Sequence, residues 1–372
     1  MPTTLPSSPN QRLNQIEQAR QAVMFEGRSA TDEMVDAWYE RSWIERSWRR
    51  CLARGQRPEQ RVGFDLIPAQ AQRRTEEANR PLLLAARPVL EKLGRAIADT
   101  RYFAILTDPQ GVLVDVNGPI DRRDRRAQLI TRIGVDLSER AVGTTAIGAV
   151  LAELQPVWLH RGEHFFNDTS VYSCAGAPLF GPDGRCAGML DLTGIEVAER
   201  PELKHLVSQS ARSIENALAL GLPHSLELRL NWPGRSPGDE DDGLVCLDAD
   251  GWVTAANAAA RQMVSQLVVR GQAAVHCSEL FAVALDMLFD AARSAIALEV
   301  PLWSGLRLQV QAQRPGQRPA RRPAESDQSL PLKDLEIALI RKAVEDARGN
   351  VMQAARALGI SRATVYRKLG RR

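Results

Sequence analysis

Two groups of side chains in this 372-residue chain have the types and spacing to do chemistry. His160, His164 and Cys174 are residue types that ligate a transition metal. Two histidines four apart meet one metal only where a helical turn stacks them, and Val157–His160 reads as a strand, so this spacing makes no metal site. No GxSxG, HExxH or paired-cysteine pattern supplies a nucleophile with its base. The chain is expected to be no enzyme and to carry no metal or cofactor. The second group is cationic. Arg362, Thr364, Arg367 and Lys368 share the exposed face of a short helix, a pattern that suits a polyanion.

Those cations need a platform, and the residues around them supply one. Leu335–Ala347 carries a strongly apolar helical face. Gly349 suits the position after its last turn, and Asn350 caps the next helix, Val351–Leu358. Gly359 ends that helix, and Ser361 caps Arg362–Leu369. Two short helices across a tight glycine turn predict a helix-turn-helix, its second helix in the major groove of double-stranded DNA. A basic hairpin packed elsewhere is the alternative. The charge distribution favours the first reading. The whole chain has 48 Lys+Arg against 45 Asp+Glu, net +3, but from Leu330 onward ten cations face four anions, +6, which leaves −3 on the rest.

The remainder reads as two α+β units behind a helical lead. Residues 1–80 are an N-terminal helical segment, with a disordered first ten residues and a helix over Thr31–Gly55 anchored by Trp38, Trp43 and Trp48. Residues 81–222 begin with a helix, Pro81–Asp99, then strands Tyr102–Thr107 and Val112–Val116. The helix Ala146–Leu154, strands Val157–His160, Val171–Phe180 and Cys186–Leu192, and a closing helix Pro201–Leu220 complete an antiparallel-sheet domain. Gly181-Pro182-Asp183-Gly184 is a hairpin turn, and Asp121–Arg126 a solvated face. Residues 223–243 are a linker, 244–312 a smaller α+β unit, 313–329 a Pro/Arg/Gln linker, and 330–372 the all-α end. No stretch is long and apolar enough for a membrane span, and MPTTLPSSPNQRLNQ lacks the basic flank and apolar run of a secretory leader, so none is expected. Five cysteines without a CxxC pair argue for a reducing, cytoplasmic setting.

Gly349–Gly370, GNVMQAARALGISRATVYRKLG, resembles the Fis-type helix-turn-helix that closes bacterial enhancer-binding proteins. By position, the resemblance implies that Arg362 reads a guanine edge and that Asn350, Thr364 and Arg367 contact the DNA backbone. Met352 stands where relatives carry a hydroxyl residue. The resemblance also implies a homodimer through the helix at about Leu335–Ala347, with half-sites one helical turn apart.

Ala141–Gly194 contains AVGTTAIGAVLAELQPVWLHRGEHF and YSCAGAPLFGPDGRCAGMLDLTG, which resemble the GAF sensor of acetoin-catabolism-type activators. The resemblance implies a small-molecule effector between the sheet and its flanking loops, near His160, Glu163, His164, Ser173, Cys174 and Asp191. The other reading makes His164 and Asp191 hydrogen-bonding struts of the fold. Gly243–Val264 resembles the opening of a PAS domain, read as a dimerising or signal-passing spacer. Relatives of this type place an AAA+ ATPase between sensor and DNA reader. No Gly-Lys-Ser or Gly-Lys-Thr occurs here to cradle phosphates, nor the GAFTGA loop that meets sigma-54.

The expectation is a one-component transcriptional regulator in which an effector tunes operator binding without ATP hydrolysis. RNA polymerase and a related full-length activator are candidate partners. The rival readings are a co-regulator that pairs with such an activator or occupies its sites, and a sensor enzyme tethered to DNA.

Overall fold

The computed structural model describes residues 9–27, 42–268, 274–294, 297–316 and 351. Two compact units divide the chain after Pro315. The second unit contains Asn350, Ser361, Arg362, Thr364, Arg367 and Lys368, the expected DNA contacts, and all six lie outside the described residues.

The first unit opens with α1 (Pro9–Arg20), which runs into a wider turn over Gln21–Phe25. The helix expected over Thr31–Gly55 is present as α2 (Ser42–Ala53), which buries Trp43, Ile44, Trp48 and Cys51 along one face; residues 28–41 are outside those described. After α3 (Ala69–Ala78) comes α4 (Arg80–Ala96), with a proline in its first turn, where a missing N–H costs nothing. Then follow β1 (Tyr102–Thr107), β2 (Leu113–Asn117), α5 (Arg125–Ile130), α6 (Glu139–Val142) and α7 (Ala146–Glu153). β3 (Val157–His160), β4 (Tyr172–Phe180), β5 (Cys186–Ile195) and α8 (Leu203–Leu220) close the domain.

The five strands form one antiparallel sheet in the order β2-β1-β5-β4-β3. Both faces are covered, and the two-residue period of a strand assigns its side chains to them. Phe103, Ile105, Leu159, Cys174 and Met189 enter the core shared with α2 and α7. Tyr102, Ala104, Trp158, Ala175 and Leu192 enter the other, against α4 and α8. Asp121–Arg126 is less simply solvated than its charge suggests. Asp124 caps α5 by accepting from Arg126 N, and the Arg126 guanidinium pairs with Asp124 and Glu196.

A second sheet contains β6 (Leu226–Asn231), β7 (Gly243–Leu247), β8 (Val253–Ala256), β9 (Leu298–Pro301) and β10 (Arg307–Gln313). α9 (Ala258–Met263), α10 (Cys277–Leu280) and α11 (Leu285–Ser294) connect β8 to β9. The order β8-β7-β6-β10-β9 puts β6 in the middle. This corrects the reading of 223–243 as a linker: LELRLN alternates, burying Leu226, Leu228 and Leu230 fully, and pairs with β7 and β10. Residues 232–242 remain a connection, folded around Asp242, which accepts from Asn231 Nδ2 at 2.7 Å and from Asp239 N at 2.9 Å.

α8 serves both sheets. Its Ala219 packs with Leu244, Cys246 and Ala255 of the second domain. Asn257 Nδ2 donates to Asn216 Oδ1 at 2.8 Å, Phe180 N donates to Glu215 Oε1 at 2.9 Å, and Arg261 reaches Pro182 O at 2.6 Å.

Gly188 tests how closely the first sheet is built. Its φ is +150°, and a Cβ there would stand 2.1 Å from the carbonyl oxygen of Thr107, a backbone atom that cannot swing aside. Gly188→Ala is expected to destabilise the protein by about 2–3 kcal/mol, read as a lower urea midpoint with an unchanged denaturant slope.

Candidate functional site

The sequence around a cavity in the first domain builds its walls before it builds its chemistry. Gly143 adopts φ +69°, and a Cβ there would lie 2.8 Å from the Phe166 ring. That turn releases Thr145 to cap α7, its Oγ1 accepting from Gly148 N at 3.2 Å. Gly148 in turn has no room for a Cβ, which would meet the Glu139 side chain at 2.7 Å. α7 is thereby pressed between α6 and the sheet, and its first turn forms one wall.

The cavity is small, about 30 Å³. Phe64, Ile105, Ile130, Leu137, Val142 and Ile147 give it an apolar lining, and His164, Cys174, Asp191, Thr145, Thr193 and Tyr172 add polar groups. Its titratable groups are all shifted toward their neutral forms. His164 lies on the loop after β3, with Nδ1 2.9 Å from Arg161 O; the carbonyl can only accept, so Nδ1 carries the proton and Nε2 a lone pair. Burial pushes the imidazole down to about 4. Asp191 accepts from Thr193 Oγ1 through Oδ2, and burial pushes its carboxyl up to about 7. Burial and the neighbouring Asp191 hold the Cys174 thiol well above its ordinary range, with Sγ 3.5 Å from Thr193 Oγ1. His164 Nε2 and Asp191 Oδ1 are both buried without a hydrogen-bond partner, which is uncommon for buried polar atoms.

The six residues expected around a ligand thus divide into two sets. His164, Cys174 and Asp191 line the cavity. His160, Glu163 and Ser173 do not, because strand alternation puts Ser173 opposite Cys174 and puts His160 on the Trp158 side. There His160 Nδ1 lies 2.7 Å from Ser173 Oγ and the ring stacks on Trp158 at 6.4 Å between centroids. Glu163 is fully buried; Oε2 accepts from His160 N at 2.7 Å and Oε1 pairs with the Arg12 guanidinium of α1. This set is a structural cluster.

A third cluster was missed in the sequence. Glu139 accepts from Ser47 Oγ at 2.6 Å, from Arg50 at 2.9 and 2.7 Å, and from Arg54 at 2.9 Å. Burial alone would raise its carboxyl, but the hydrogen bonds from Arg50 and Ser47 outweigh it and hold the group below the usual range. Ser47 Oγ also lies 2.8 Å from Thr144 Oγ1, tying α2 to the segment that caps α7. The arginines at three- and four-residue spacing in α2 were the only local signal. Among the described residues, no three His, Cys, Asp or Glu side chains are placed to hold a metal, and no helix is long and apolar enough to cross a membrane.

The two cavity titrations act on stability with opposite sign. Between about pH 6.5 and 4 the unfolded chain protonates His164 before the folded one does, so this residue costs stability as pH falls. Between about pH 4 and 7 the folded chain keeps the Asp191 proton that the unfolded chain loses, so this residue costs stability as pH rises. Urea unfolding across pH 4–7 is expected to show Asp191→Asn removing the loss on the alkaline side and His164→Asn removing the loss on the acid side. Parallel profiles for wild type and both variants would contradict the cavity electrostatics.

Residues 331–371 match the model described as bacterial regulatory protein, Fis family, and residues 36–216 match that of the MimR N-terminal domain. The acetoin catabolism regulatory protein of Cupriavidus necator is 30% identical over 257 residues, covering 67% of this chain and 37% of that protein. AcoR, the acetoin dehydrogenase operon transcriptional activator of Bacillus subtilis, is 29% identical over 193 residues, 52% of this chain and 32% of its own length. The chain therefore spans about a third of the length of these two relatives. Among solved structures, the E. coli DhaR(N)–DhaL complex is similar over 73% of this chain and 99% of the matched one, at 15% identity and a TM-score of 0.45. The chain thus carries a MimR-type N-terminal domain and a Fis-family regulatory segment, the two parts it shares in sequence with proteins of those families.

Proposed function

We propose that this chain is a cytoplasmic, effector-responsive transcriptional regulator, in which a small neutral metabolite in the first-domain cavity tunes binding of 330–372 to double-stranded DNA. One observation carries the reading: two of the buried polar atoms without a partner, His164 Nε2 and Asp191 Oδ1, belong to residues that line the same cavity. Nε2 asks for a hydroxyl donor, and the near-neutral Asp191 carboxyl can meet a hydroxyl or a carbonyl. An anion would lose its hydration there without a cation in the lining to meet it. A cavity of about 30 Å³ lies far below the roughly 300–1,000 Å³ of drug-sized pockets, so the effector has only a few heavy atoms and the lining yields as it enters. Acetoin, the compound in the names of two relatives, fits this description. Cys174, held as a thiol, is a poor nucleophile at neutral pH, which favours binding over turnover.

The DNA-facing roles follow the expected positions: Arg362 on a base edge; Asn350, Thr364, Arg367 and Lys368 on phosphates; Ser361 capping the recognition helix. The protein acts as a homodimer, with 244–312 as a PAS-like spacer between sensor and reader. With no Gly-Lys-Ser or Gly-Lys-Thr in the chain, regulation proceeds without ATP hydrolysis. That same feature favours a second reading, a co-regulator that works through a full-length activator.

Calorimetric titration with acetoin, 2,3-butanediol, 2-propanol and acetate tests the cavity. The neutral hydroxyl compounds are expected to bind and acetate not, with His164→Leu weakening binding by about 0.5–1.5 kcal/mol. Equal binding of acetate would overturn the reading. On operator DNA, Arg362→Ala is expected to cost about 1–3 kcal/mol and relax one base position, and Arg367→Ala to weaken every sequence alike and lower the salt slope by about 1, both read by fluorescence anisotropy.

A further inference from the structure

The loop that carries His164 has two sides. One side presents the imidazole to the cavity. The other is covered by α1, which comes from some 150 residues earlier in the chain. Arg20, itself only 6% exposed, donates to Gly162 O at 2.8 Å, to His164 O, to Phe165 O at 3.2 Å and to Asn167 Oδ1 at 2.9 Å. One guanidinium thus holds the backbone carbonyls of Gly162, His164 and Phe165. One turn earlier, Ile16 lies so close that a Cβ on Gly162 would stand 3.0 Å from its Cγ2. Another turn earlier, the Arg12 guanidinium pairs with Glu163, whose own carbonyl accepts from Trp48 Nε1 at 2.9 Å. Ile16, Ala19 and Val23 are buried in the same core that lines the cavity. Arg161, at the start of the loop, has φ +48°, a conformation that a non-glycine residue holds only where its surroundings fix it.

We propose that α1 is a strap that sets the affinity of the cavity: its arginines hold residues 160–167 in the one conformation that puts His164 Nε2 at the cavity wall. Arg20 and Arg12 are positioning residues, acting through the loop and not on the effector. Because effector and strap fix the same loop from opposite sides, each strengthens the other by the same factor. Occupancy of the cavity is thereby reported at the N-terminal helix. The proposal rests on the cavity being the effector site, and its test separates the two claims.

Hydrogen exchange of the full-length protein, read on peptides covering 9–27 and 160–168, is measured with and without acetoin for wild type, Arg20→Met and the milder Arg12→Gln. Circular dichroism identifies any variant that fails to fold. Without acetoin, Arg20→Met is expected to speed exchange in both peptides while the β6–β7 peptides stay protected, and Arg12→Gln to do the same more weakly. With acetoin, wild type is expected to slow in both peptides, and Arg20→Met to lose affinity within the 5–150-fold range usual for coupled sites. Faster exchange confined to 9–27, with 160–168 at the wild-type rate, would overturn the strap. Acetoin leaving wild type unchanged while Arg20→Met still loosens 160–168 would keep the hold on the loop and overturn the choice of effector.

Discussion

A strand buried on both faces, Tyr172–Phe180, is the constraint on which the rest of the first domain depends. β4 lies between β3 and β5, and all its residues but the last are buried. A strand in that position must serve two cores with alternate side chains, and both cores press closely on it. Gly176 has no space for a Cβ, which would meet Met189 at 2.7 Å and Val150 at 3.0 Å. The small residues Ala175, Gly176 and Ala177 let α7 and α8 approach from opposite sides, and that approach closes the cavity on one side and seats the second domain on the other.

The same constraint explains which parts of the site the sequence showed. β1, β3 and β4 and the hairpin turn at Gly181–Gly184 follow from local pattern, and their positions agree with it closely. The polar residues Ser173 and Cys174 looked like one constellation because they are adjacent in a stretch rich in chemistry. Adjacent strand residues face opposite ways, so proximity in sequence was evidence against a shared site. β6 was hidden for a different reason. LELRLN has the strand period, but it precedes a Pro/Gly/acid stretch, and its central place is set by pairing with β10, some eighty residues later. Local signals cannot rank a strand as edge or centre. The arginines of α1 were hidden most deeply: PNQRLNQIEQAR is polar almost throughout, and nothing nearby reveals that Arg12 and Arg20 reach residues 162–167.

Buried charge is spent unevenly across the domain. On the α1 and α2 sides, Arg12–Glu163 and the Glu139 cluster with Arg50 and Arg54 satisfy their carboxylates completely, as a fully or nearly buried ion requires. In the cavity, the titratable groups are left without ionic partners and are shifted toward their neutral forms. The two ionic clusters hold α1 and α2 outside the cavity at fixed positions, and the neutral interior leaves unmet hydrogen-bonding capacity. The division is not what packing alone favours, since a core with the same residues would gain by pairing or deleting them.

α8 extends this logic to the second domain. Glu215, whose carboxyl burial pushes up to about 7, accepts from the backbone at the end of β4, and Asn216 one residue on bonds to the cap of α9. Two consecutive side chains of one helix therefore hold the end of the first sheet and the start of a helix in the second. Polar contacts of this kind are directional: a shift of β4 cannot be absorbed by sliding, as it could across an apolar interface, without breaking a buried hydrogen bond. The cavity lining at Cys174 and the junction at Phe180 are six residues apart on the same strand, so one element carries both the wall of the first core and the point where the second domain is attached.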